Sequence, residues 1–267
     1  MAQGQGRFRE DQAEGARSDD GAFSVDRRRR PRRNDRPAEV SGRLTLVGTP
    51  IGNLGDLAPR ARESLMEADA WIVEDSRVSG KLATIFETRK PMRVLNEHTP
   101  DYTVEKLLAE LEEGANLCLL TDGGMPAISD PGARLTDRCH DAGVAVTAIP
   151  GPSAVPTALA LSGFFAQRFA FLGFLGRKPG DIRKELAQFA DSPYTLVLFE
   201  SPYRIDSLLK AAHEALGERR YAICREITKL HEQTFRDRLP NIPDEATVPR
   251  KGEFTIVFEG RRKPERD

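Results

Sequence analysis

The chain has few cysteines and histidines, and this shortage excludes several classes of protein. Only three of its 267 residues are cysteines and four are histidines. Cys118, Cys139 and Cys224 stand far apart without a Cys-x-x-Cys pair, so they indicate reduced thiols and not a disulfide framework or a zinc site. The histidines also lack the spacing of metal ligands. We therefore expect no metal cofactor.

Long apolar runs are absent as well. No stretch of about 18 apolar residues exists, which argues against a membrane-spanning helix. The polar N-terminus has no apolar segment typical of a secretory signal. These absences favour a cytoplasmic protein without a membrane partner, and the length favours one or two domains.

The net charge of −1 hides an uneven distribution. Lysine and arginine number 40 against 41 acidic residues. Residues 1–42 hold ten arginines against eight acids, and residues 43–267 hold 30 basic against 33 acidic residues. Because residues 1–42 are also poor in apolar side chains, they predict a disordered, arginine-rich tail. A short charged tail is predicted at 261–267.

From Arg43 onward, short apolar runs alternate with segments of helical period. This alternation predicts an α/β fold with a mostly parallel N-terminal sheet and helices on both of its faces. After residue 217 three strands follow one another without helices, which predicts a mixed C-terminal sheet. We place an N-terminal domain at 43–151 and a C-terminal domain at 152–260, with the proline- and glycine-rich stretch 149–156 as the joint.

The loops that follow strands carry the candidate site, because ligands of open α/β sheets bind at the carboxyl ends of strands. The loop 48–55 holds three glycines and a proline but matches no phosphate-binding pattern, so it is either a plain turn or a ligand loop. Its Asp56 is a candidate cap for the next helix. The segment 74–77, Glu-Asp-Ser-Arg, is either a local cap and ion pair or a group that binds a ligand, with Arg77 reaching an anion.

The most specific loop is 121–132. Three glycines, two prolines and two aspartates in twelve residues are too unusual for a simple connection, and they indicate a rigid ligand loop. The joint 150–154 lies where a pocket between domains is expected. Segments 200–204 and 225–229 carry both charges directly after apolar strands; surface ion pairs would explain them, but their repeated position favours one shared cleft.

Seven motifs, taken together and in order, resemble a known family. They are Gly-Thr-Pro-Ile-Gly-Asn-Leu (48–54), Glu-Asp-Ser-Arg (74–77), Ser-Asp-Pro-Gly (129–132), Pro-Gly-Pro-Ser-Ala (150–154), Glu-Ser-Pro-Tyr-Arg (200–204), Arg-Glu-Ile-Thr-Lys (225–229) and Lys-Gly-Glu (251–253). Together they closely resemble the tetrapyrrole methylase superfamily, and within it the methyltransferases of small-subunit ribosomal RNA. The resemblance extends from about residue 44 to residue 260.

The resemblance implies a homodimer of two-domain α/β subunits with S-adenosyl-L-methionine in the cleft between the domains. It also implies 2′-O-methylation of a cytidine in the decoding region of small-subunit ribosomal RNA, within the ribosomal subunit. The residues that it assigns to the cofactor are Thr49, Pro50, Gly52, Asp122, Gly123, Gly124, Pro126, Ala127, Ile128, Ser153, Ala154, Phe199 and Glu200.

For catalysis we assign Glu226 and Lys229, because a ribose hydroxyl needs a base or a stabilising cation nearby. For RNA we assign a patch of Arg77, Arg204 and Arg225. The arginines of the N-terminal tail either add attraction to phosphate, strongest at low salt, or have no role.

Two departures from the family pattern stand out. Thr121-Asp-Gly-Gly-Met-Pro stands where the family usually has Ser/Thr-Asp-Ala-Gly-Thr-Pro; it keeps a small residue and the proline, so we expect cofactor binding to survive. Asn96-Glu-His-Thr99 lacks one imidazole and one amide of the family run, which leaves any role of His98 open. The alternatives are methylation of a tetrapyrrole or protein side chain on the same fold, and a non-catalytic ribosome-assembly factor.

Overall fold

The computed structural model describes residues 42–262. The predicted N-terminal tail, apart from Gly42, and residues 263–267 of the predicted C-terminal tail lie outside this range. Within it, no helix is both long and apolar enough to cross a bilayer. The predicted boundary between two domains near residue 151 stays a prediction.

The N-terminal sheet is fully parallel and five-stranded, in the order β3-β2-β4-β1-β5. Its strands are β1 (Arg43–Val47), β2 (Ala70–Val73), β3 (Met92–Val94), β4 (Asn116–Leu120) and β5 (Ala145–Ile149). Its helices are α1 (Pro59–Glu67), α2 (Ser76–Ile85), α3 (Asp101–Glu112) and α4 (Ala133–Ala142). α1 and α2 share one apolar core with one face of the sheet, and α3 and α4 share a second core with the other. Successive strand residues alternate between the two cores, as the pleat requires.

The C-terminal sheet is mixed, in the order β6-β7-β10-β8-β9. Its strands are β6 (Phe169–Phe174), β7 (Thr195–Glu200), β8 (Arg220–Arg225), β9 (Gln233–Arg238) and β10 (Phe254–Phe258). Only β6 and β7 pair in parallel, and the other neighbours are antiparallel. α5 (Ala154–Ser162) packs on one face, and α6 (Pro179–Ala187) and α7 (Ile205–Leu216) pack on the other. The predicted α/β class, with one parallel and one mixed sheet, is confirmed.

The strand order creates a crevice between β1 and β4. β1 continues to α1 on one face of the sheet, whereas its neighbour β4 continues to α4 on the other face, so their loops diverge. Two backbone hydrogen bonds nevertheless join these loops. The Thr49 N–H donates to the Gly124 carbonyl over 2.9 Å, and the Gly124 N–H donates to the Thr49 carbonyl over 3.0 Å. The crevice therefore has a fixed base.

One local expectation was wrong, and one helix was not expected. The proline- and glycine-rich stretch 149–156 runs into α5, and Pro156 fits there because it occupies the first helical turn, where its missing N–H has no partner to lose. Asp56 ends a short 3-10 helix, and Ala58 is the residue before α1. Asp101 is the first residue of α3, where its carboxylate suits the helix dipole.

Candidate active site

A cleft of about 760 Å³ lies between the carboxyl end of the parallel sheet and the mixed sheet. This volume is in the range of cofactor sites. Eleven residues assigned from the sequence line it: Pro50, Gly52, Asp122, Gly123, Gly124, Ile128, Ser153, Ala154, Phe199, Glu200 and Lys229. These assigned residues lie as much as 179 positions apart in the chain, from Pro50 to Lys229.

The first loop packs closely against its neighbours because it contains glycine. A β-carbon on Gly52 would lie 2.4 Å from Cγ of Lys229, and one on Gly123 would lie 3.2 Å from the Pro50 carbonyl oxygen. Gly48 and Gly151 bring backbone against backbone, since a β-carbon on Gly151 would lie 2.6 Å from the carbonyl carbon and oxygen of Gly48. These glycines allow backbone to approach backbone around the cleft.

The loop after β4 is held in an unusual conformation. Ala127 and Ser129 both have positive φ angles, of 67° and 60°, which side chains other than glycine rarely adopt. Between them, Ile128 is 54% exposed and lines the cleft. The strained backbone therefore presents an apolar side chain to the cleft, and strain of this kind is concentrated at functional sites.

An aromatic group forms the opposite wall. The Phe199 ring lies 5.0 Å from Phe171 and 5.5 Å from Phe174 between ring centroids. Phe174 follows a register shift in β6 and is 66% exposed at the cleft. The ring plane of Phe199 is tilted by 67° to that of Phe171 and by 55° to that of Phe174, and the exposed ring of Phe174 offers an apolar face on which a planar ring could pack.

The lining is strongly acidic. Its carboxylates are Glu74, Asp122, Asp130, Glu200 and Glu253, and its basic side chain, among the residues that the structure describes, is Lys229. Burial, followed by the charge of Asp122, raises the pKa of Glu74. Burial, followed by the charge of Asp75, raises the pKa of Asp122. Crowded carboxylates with raised pKa values favour a cationic ligand, since a cation relieves their repulsion.

Glu200 is the most enclosed of these carboxylates. Its side chain is 1% exposed, and burial raises its pKa. Oε1 accepts a hydrogen bond from the Ser201 N–H over 2.6 Å. Oε2 lies 3.2 Å from the Arg204 guanidinium but without the geometry of a hydrogen bond, so this buried oxygen has no hydrogen-bond donor among residues 42–262. Arg204 thus supplies a positive charge to this oxygen, but its capacity to accept a hydrogen bond is unused within that range.

The two residues assigned to catalysis differ in position. Lys229 lines the cleft, and its Nζ lies 3.0 Å from Glu226 Oε1 and 2.9 Å from Glu253 Oε1. Burial opposes its charge, but the hydrogen bonds to the two glutamates raise the pKa of Lys229. Glu226 lies behind it, and its Oε1 also accepts the Glu253 N–H over 2.9 Å. Its pKa is lowered, since these hydrogen bonds and nearby positive charges outweigh its partial burial.

The three arginines assigned to RNA are not equally available. Arg204 donates to the carbonyls of Leu175 and Gly176, and Arg225 donates to those of Lys251 and His231. Arg77 is 89% exposed and pairs with Asp75, whose pKa falls to about 2 through that hydrogen bond. Arg204 and Arg225 therefore stabilise the walls of the cleft, and their role in RNA binding stays a prediction.

The remaining assigned residues lie behind the lining. Thr49 is buried, and its Oγ1 donates to the Thr121 carbonyl; Pro126 is buried, and the Ala127 N–H donates to the Pro131 carbonyl. The sequence assignment missed several lining residues: Glu74, Ser129, Asp130, Phe174 and Glu253. Glu74, Asp130 and Glu253 belong to motifs already singled out, whereas no sequence signal marked Phe174.

No group of three or more metal-ligating side chains is arranged to hold a metal ion within residues 42–262. The expected absence of a metal cofactor stays a prediction.

Comparison with known proteins places the fold and the cleft in context. Residues 43–243 match the family described as Tetrapyrrole (Corrin/Porphyrin) Methylases. "Ribosomal RNA small subunit methyltransferase I" of Mycobacterium bovis is 44% identical over 82% of this chain and 78% of its own length. The protein of the same name from Bacillus subtilis is 38% identical over 85% of this chain and 78% of its own length. The crystal structure of the methyltransferase CobJ shares the fold at 17% identity, with a TM-score of 0.61 over 84% of this chain and 97% of that one.

Proposed function

Because the chain belongs to the tetrapyrrole methylase family, and within it to the group named ribosomal RNA small subunit methyltransferase I, we propose a specific methyl transfer. The proposed reaction methylates the ribose 2′-oxygen of a cytidine in the decoding region of small-subunit ribosomal RNA. The proposed methyl donor is S-adenosyl-L-methionine.

The charge of the cleft is the observation that carries this proposal. Five carboxylates and one ammonium line it, and its glycine-rich loops lack the lysine of a phosphate-binding loop. When bound, S-adenosylmethionine supplies a methyl group on a positively charged sulfur. An acidic cleft suits this cation and is poorly suited to a nucleotide phosphate.

The residues that would hold the cofactor come from both sheets. The loops after β1 and β4 offer backbone N–H and carbonyl groups, Glu74 and Asp122 offer acceptors, and Glu200 offers its buried oxygen. The aromatic wall of Phe199 and Phe174 offers a face for a planar ring. The assigned cofactor residues that line the cleft remain in this proposal.

Lys229 is the residue we assign to the reacting ribose. With its pKa raised it stays protonated at neutral pH, so it acts as a cation and not as a base. Its charge would stabilise the ribose oxygen while the bond from that oxygen to the methyl carbon forms and the hydroxyl proton passes to solvent water. Glu226 is a positioning residue, because its carboxylate holds Nζ and already accepts two hydrogen bonds.

A pH dependence of cofactor affinity is expected from the acidic lining. Because burial raises the pKa values of Glu74, Asp122, Asp130 and Glu200, these groups gain protons at a higher pH than free carboxylates do. Protonation removes negative charge, so affinity for S-adenosylmethionine should fall as the pH drops from about 7 toward about 4. Calorimetric titration at several pH values measures this affinity. Asp122→Asn should weaken the dependence of the affinity on pH. An affinity that rises toward low pH would contradict the acidic site.

The reaction itself is tested with small ribosomal subunits that lack the modification. The protein is incubated with them and with S-adenosylmethionine carrying a labelled methyl group, and the label is located by nuclease digestion and mass spectrometry. Label on a cytidine 2′-oxygen supports the proposal. Label on a base, a protein or an added tetrapyrrole would contradict the proposed ribose methylation and identify a different substrate. Cofactor binding without methyl transfer would favour an assembly factor.

We also propose a cytoplasmic homodimer that acts on the RNA within the ribosomal subunit. Sedimentation of the purified protein tests the dimer. Comparison of free RNA with assembled subunits as substrates tests the second part.

A further inference from the structure

A second cavity, of about 590 Å³, lies at the end of the mixed sheet opposite the acidic cleft. Its charged lining residues are Arg219, Arg220, Arg238, Arg261, Arg262, Glu218 and Glu259. Five guanidiniums against two carboxylates give this lining an excess of positive charge. We call it the arginine cavity.

Ion pairs with nearby carboxylates neutralise only part of the positive charge of the arginine cavity. Glu259 pairs with Arg220 and Arg262. Burial opposes the shift, but the hydrogen bond and charge of Arg220 and the nearby charges of Arg262 and Arg238 lower the pKa of Glu259. One carboxylate therefore pairs with two guanidiniums and lies near a third. Arg261 pairs with Asp191 outside the lining.

The five arginines divide into one structural and several accessible groups. Arg219 is buried, and it donates to the Glu259 and Ala190 carbonyls, which ties the cavity wall together. Burial, followed by the charge of Arg261, lowers the pKa of Arg219, as expected where positive charges are crowded. Arg238 is exposed, and its guanidinium makes no hydrogen bond or ion pair with any residue from 42 to 262.

The arginine surface extends beyond the cavity along β9. The guanidinium of Arg236, two residues before Arg238, lies 4.9 Å from the Phe164 ring centroid, and that of Arg220 lies 5.2 Å from the same ring. Arg262 similarly lies 6.0 Å from Phe165. Stacking on aromatic rings holds guanidiniums in place while leaving their edges free for an anion.

These charges fit an extended polyanion better than a single small anion. The accessible guanidiniums come from β8, from β9 and from the segment after β10, and they are spread over an open surface. Guanidinium binds phosphate oxygens through paired N–H groups, and neighbouring guanidiniums match a chain of phosphates.

The acidic cleft makes a separate RNA-holding surface necessary. Its carboxylates repel phosphate, and of its neighbouring arginines, Arg204 and Arg225 are bound to carbonyls. β8 joins the two sites, with Arg220 at the cavity and Arg225 near the cleft, a span of about 17 Å. A structured RNA is large enough to contact both ends of this sheet.

We propose that the arginine cavity binds the phosphate backbone of the substrate RNA, away from the nucleotide that is methylated. This inference rests on the proposed function, since it takes RNA to be the substrate. It assigns the cavity to RNA affinity and the acidic cleft to cofactor and chemistry.

The test compares two double variants of the full chain with the same change of net charge. Arg238→Gln with Arg262→Gln removes two guanidiniums from the cavity. The control, Arg138→Gln with Arg183→Gln, removes two exposed guanidiniums that pair with Glu105 and Glu214 elsewhere. Binding of a small-subunit ribosomal RNA transcript is measured by filter retention at several salt concentrations, and thermal unfolding checks the fold.

We expect the cavity variant to bind RNA about tenfold more weakly at low salt, with a plot of log affinity against log salt shallower by about one to two units. S-adenosylmethionine affinity and kcat at saturating RNA should stay unchanged. Equal RNA affinity in the two double variants would overturn the proposal, and so would a change of oligomeric state in the cavity variant alone. If the cavity double variant unfolds, Arg238→Gln alone replaces it, because that guanidinium makes no hydrogen bond or ion pair within the described range.

The two proposals fail in distinguishable ways. If no ribose is methylated but the cavity variant still loses RNA affinity, the proposed reaction fails and the RNA surface stands. If the wild-type protein methylates the ribose but the cavity variant binds RNA like its control, only the arginine cavity is wrong.

Discussion

Replacement of Lys229 by alanine should lower kcat for RNA methylation by about 100- to 1,000-fold, the range for removal of one group that stabilises developing charge. Lys229 is the basic side chain of the described cleft lining, so no neighbouring cation there takes over. The affinity for S-adenosylmethionine should stay the same or increase slightly, because the variant removes a positive charge from a site proposed to bind a cation. Single-turnover kinetics with saturating cofactor and RNA measure the effect.

Two further variants separate the charge from its placement. Lys229→Arg keeps the charge but changes its geometry and should recover part of the rate. Glu226→Gln keeps the size of the side chain but weakens its hold on Nζ, so we expect a smaller loss than in Lys229→Ala. Near wild-type turnover in both Lys229→Ala and Glu226→Ala, with cofactor affinity unchanged, would refute the assignment of this pair.

Replacement of Gly151 by alanine should damage both stability and cofactor binding. The added β-carbon would meet the Gly48 backbone at 2.6 Å, and backbone cannot rotate away as a side chain can. The loop after β1 and the segment before α5 must then separate. We expect a loss of about 1–3 kcal/mol in the free energy of unfolding, and a cofactor affinity at least about tenfold weaker because both segments border the cleft.

Gly80→Ala is the matched control for this effect. Gly80 lies inside α2, and nothing lies within 4 Å of the position that its β-carbon would take. Alanine favours a helix over glycine, so stability should rise by about 0.5–1 kcal/mol with cofactor affinity unchanged. Thermal and urea unfolding measure both variants. A Gly151→Ala protein as stable as the wild type would mean that the two segments can move apart at little cost.

The sequence predicted the elements well because their apolar periodicity is strong. The alternation of apolar runs with segments of helical period predicted the α/β class, and the three consecutive strands after residue 217 predicted the mixed sheet. α5 was not predicted, because the prolines before it and in its first turn are typical of a connecting segment. The structure shows that the helix starts at Ala154. The order of the strands, which sets β1 beside β4, is a matter of long-range pairing that local patterns do not encode.

The site was predictable at the level of loops but not of individual contacts. The motifs identified the segments that form the cleft, because glycine, proline and charged residues after predicted strands can be recognised in the amino-acid sequence. The sequence does not show whether a guanidinium is free to bind a ligand. Arg204 and Arg225 were assigned to RNA, yet both donate hydrogen bonds to carbonyl oxygens of distant segments. For the same reason Phe174, exposed only through a register shift in β6, carried no signal.

The arginine cavity and the acidic cleft lie at opposite ends of one sheet, so residues 42–262 carry separated positive and negative charge, an electric dipole that the net charge of −1 does not reveal. Such a molecule rotates in the field of a polyanion before it makes contact. The arginine end would turn toward the RNA and the acidic end away from it, so that the first collision is already oriented. Salt screens this orienting interaction, so ionic strength controls what fraction of protein–RNA encounters is productive. The effect acts through the dipole and not through the net charge.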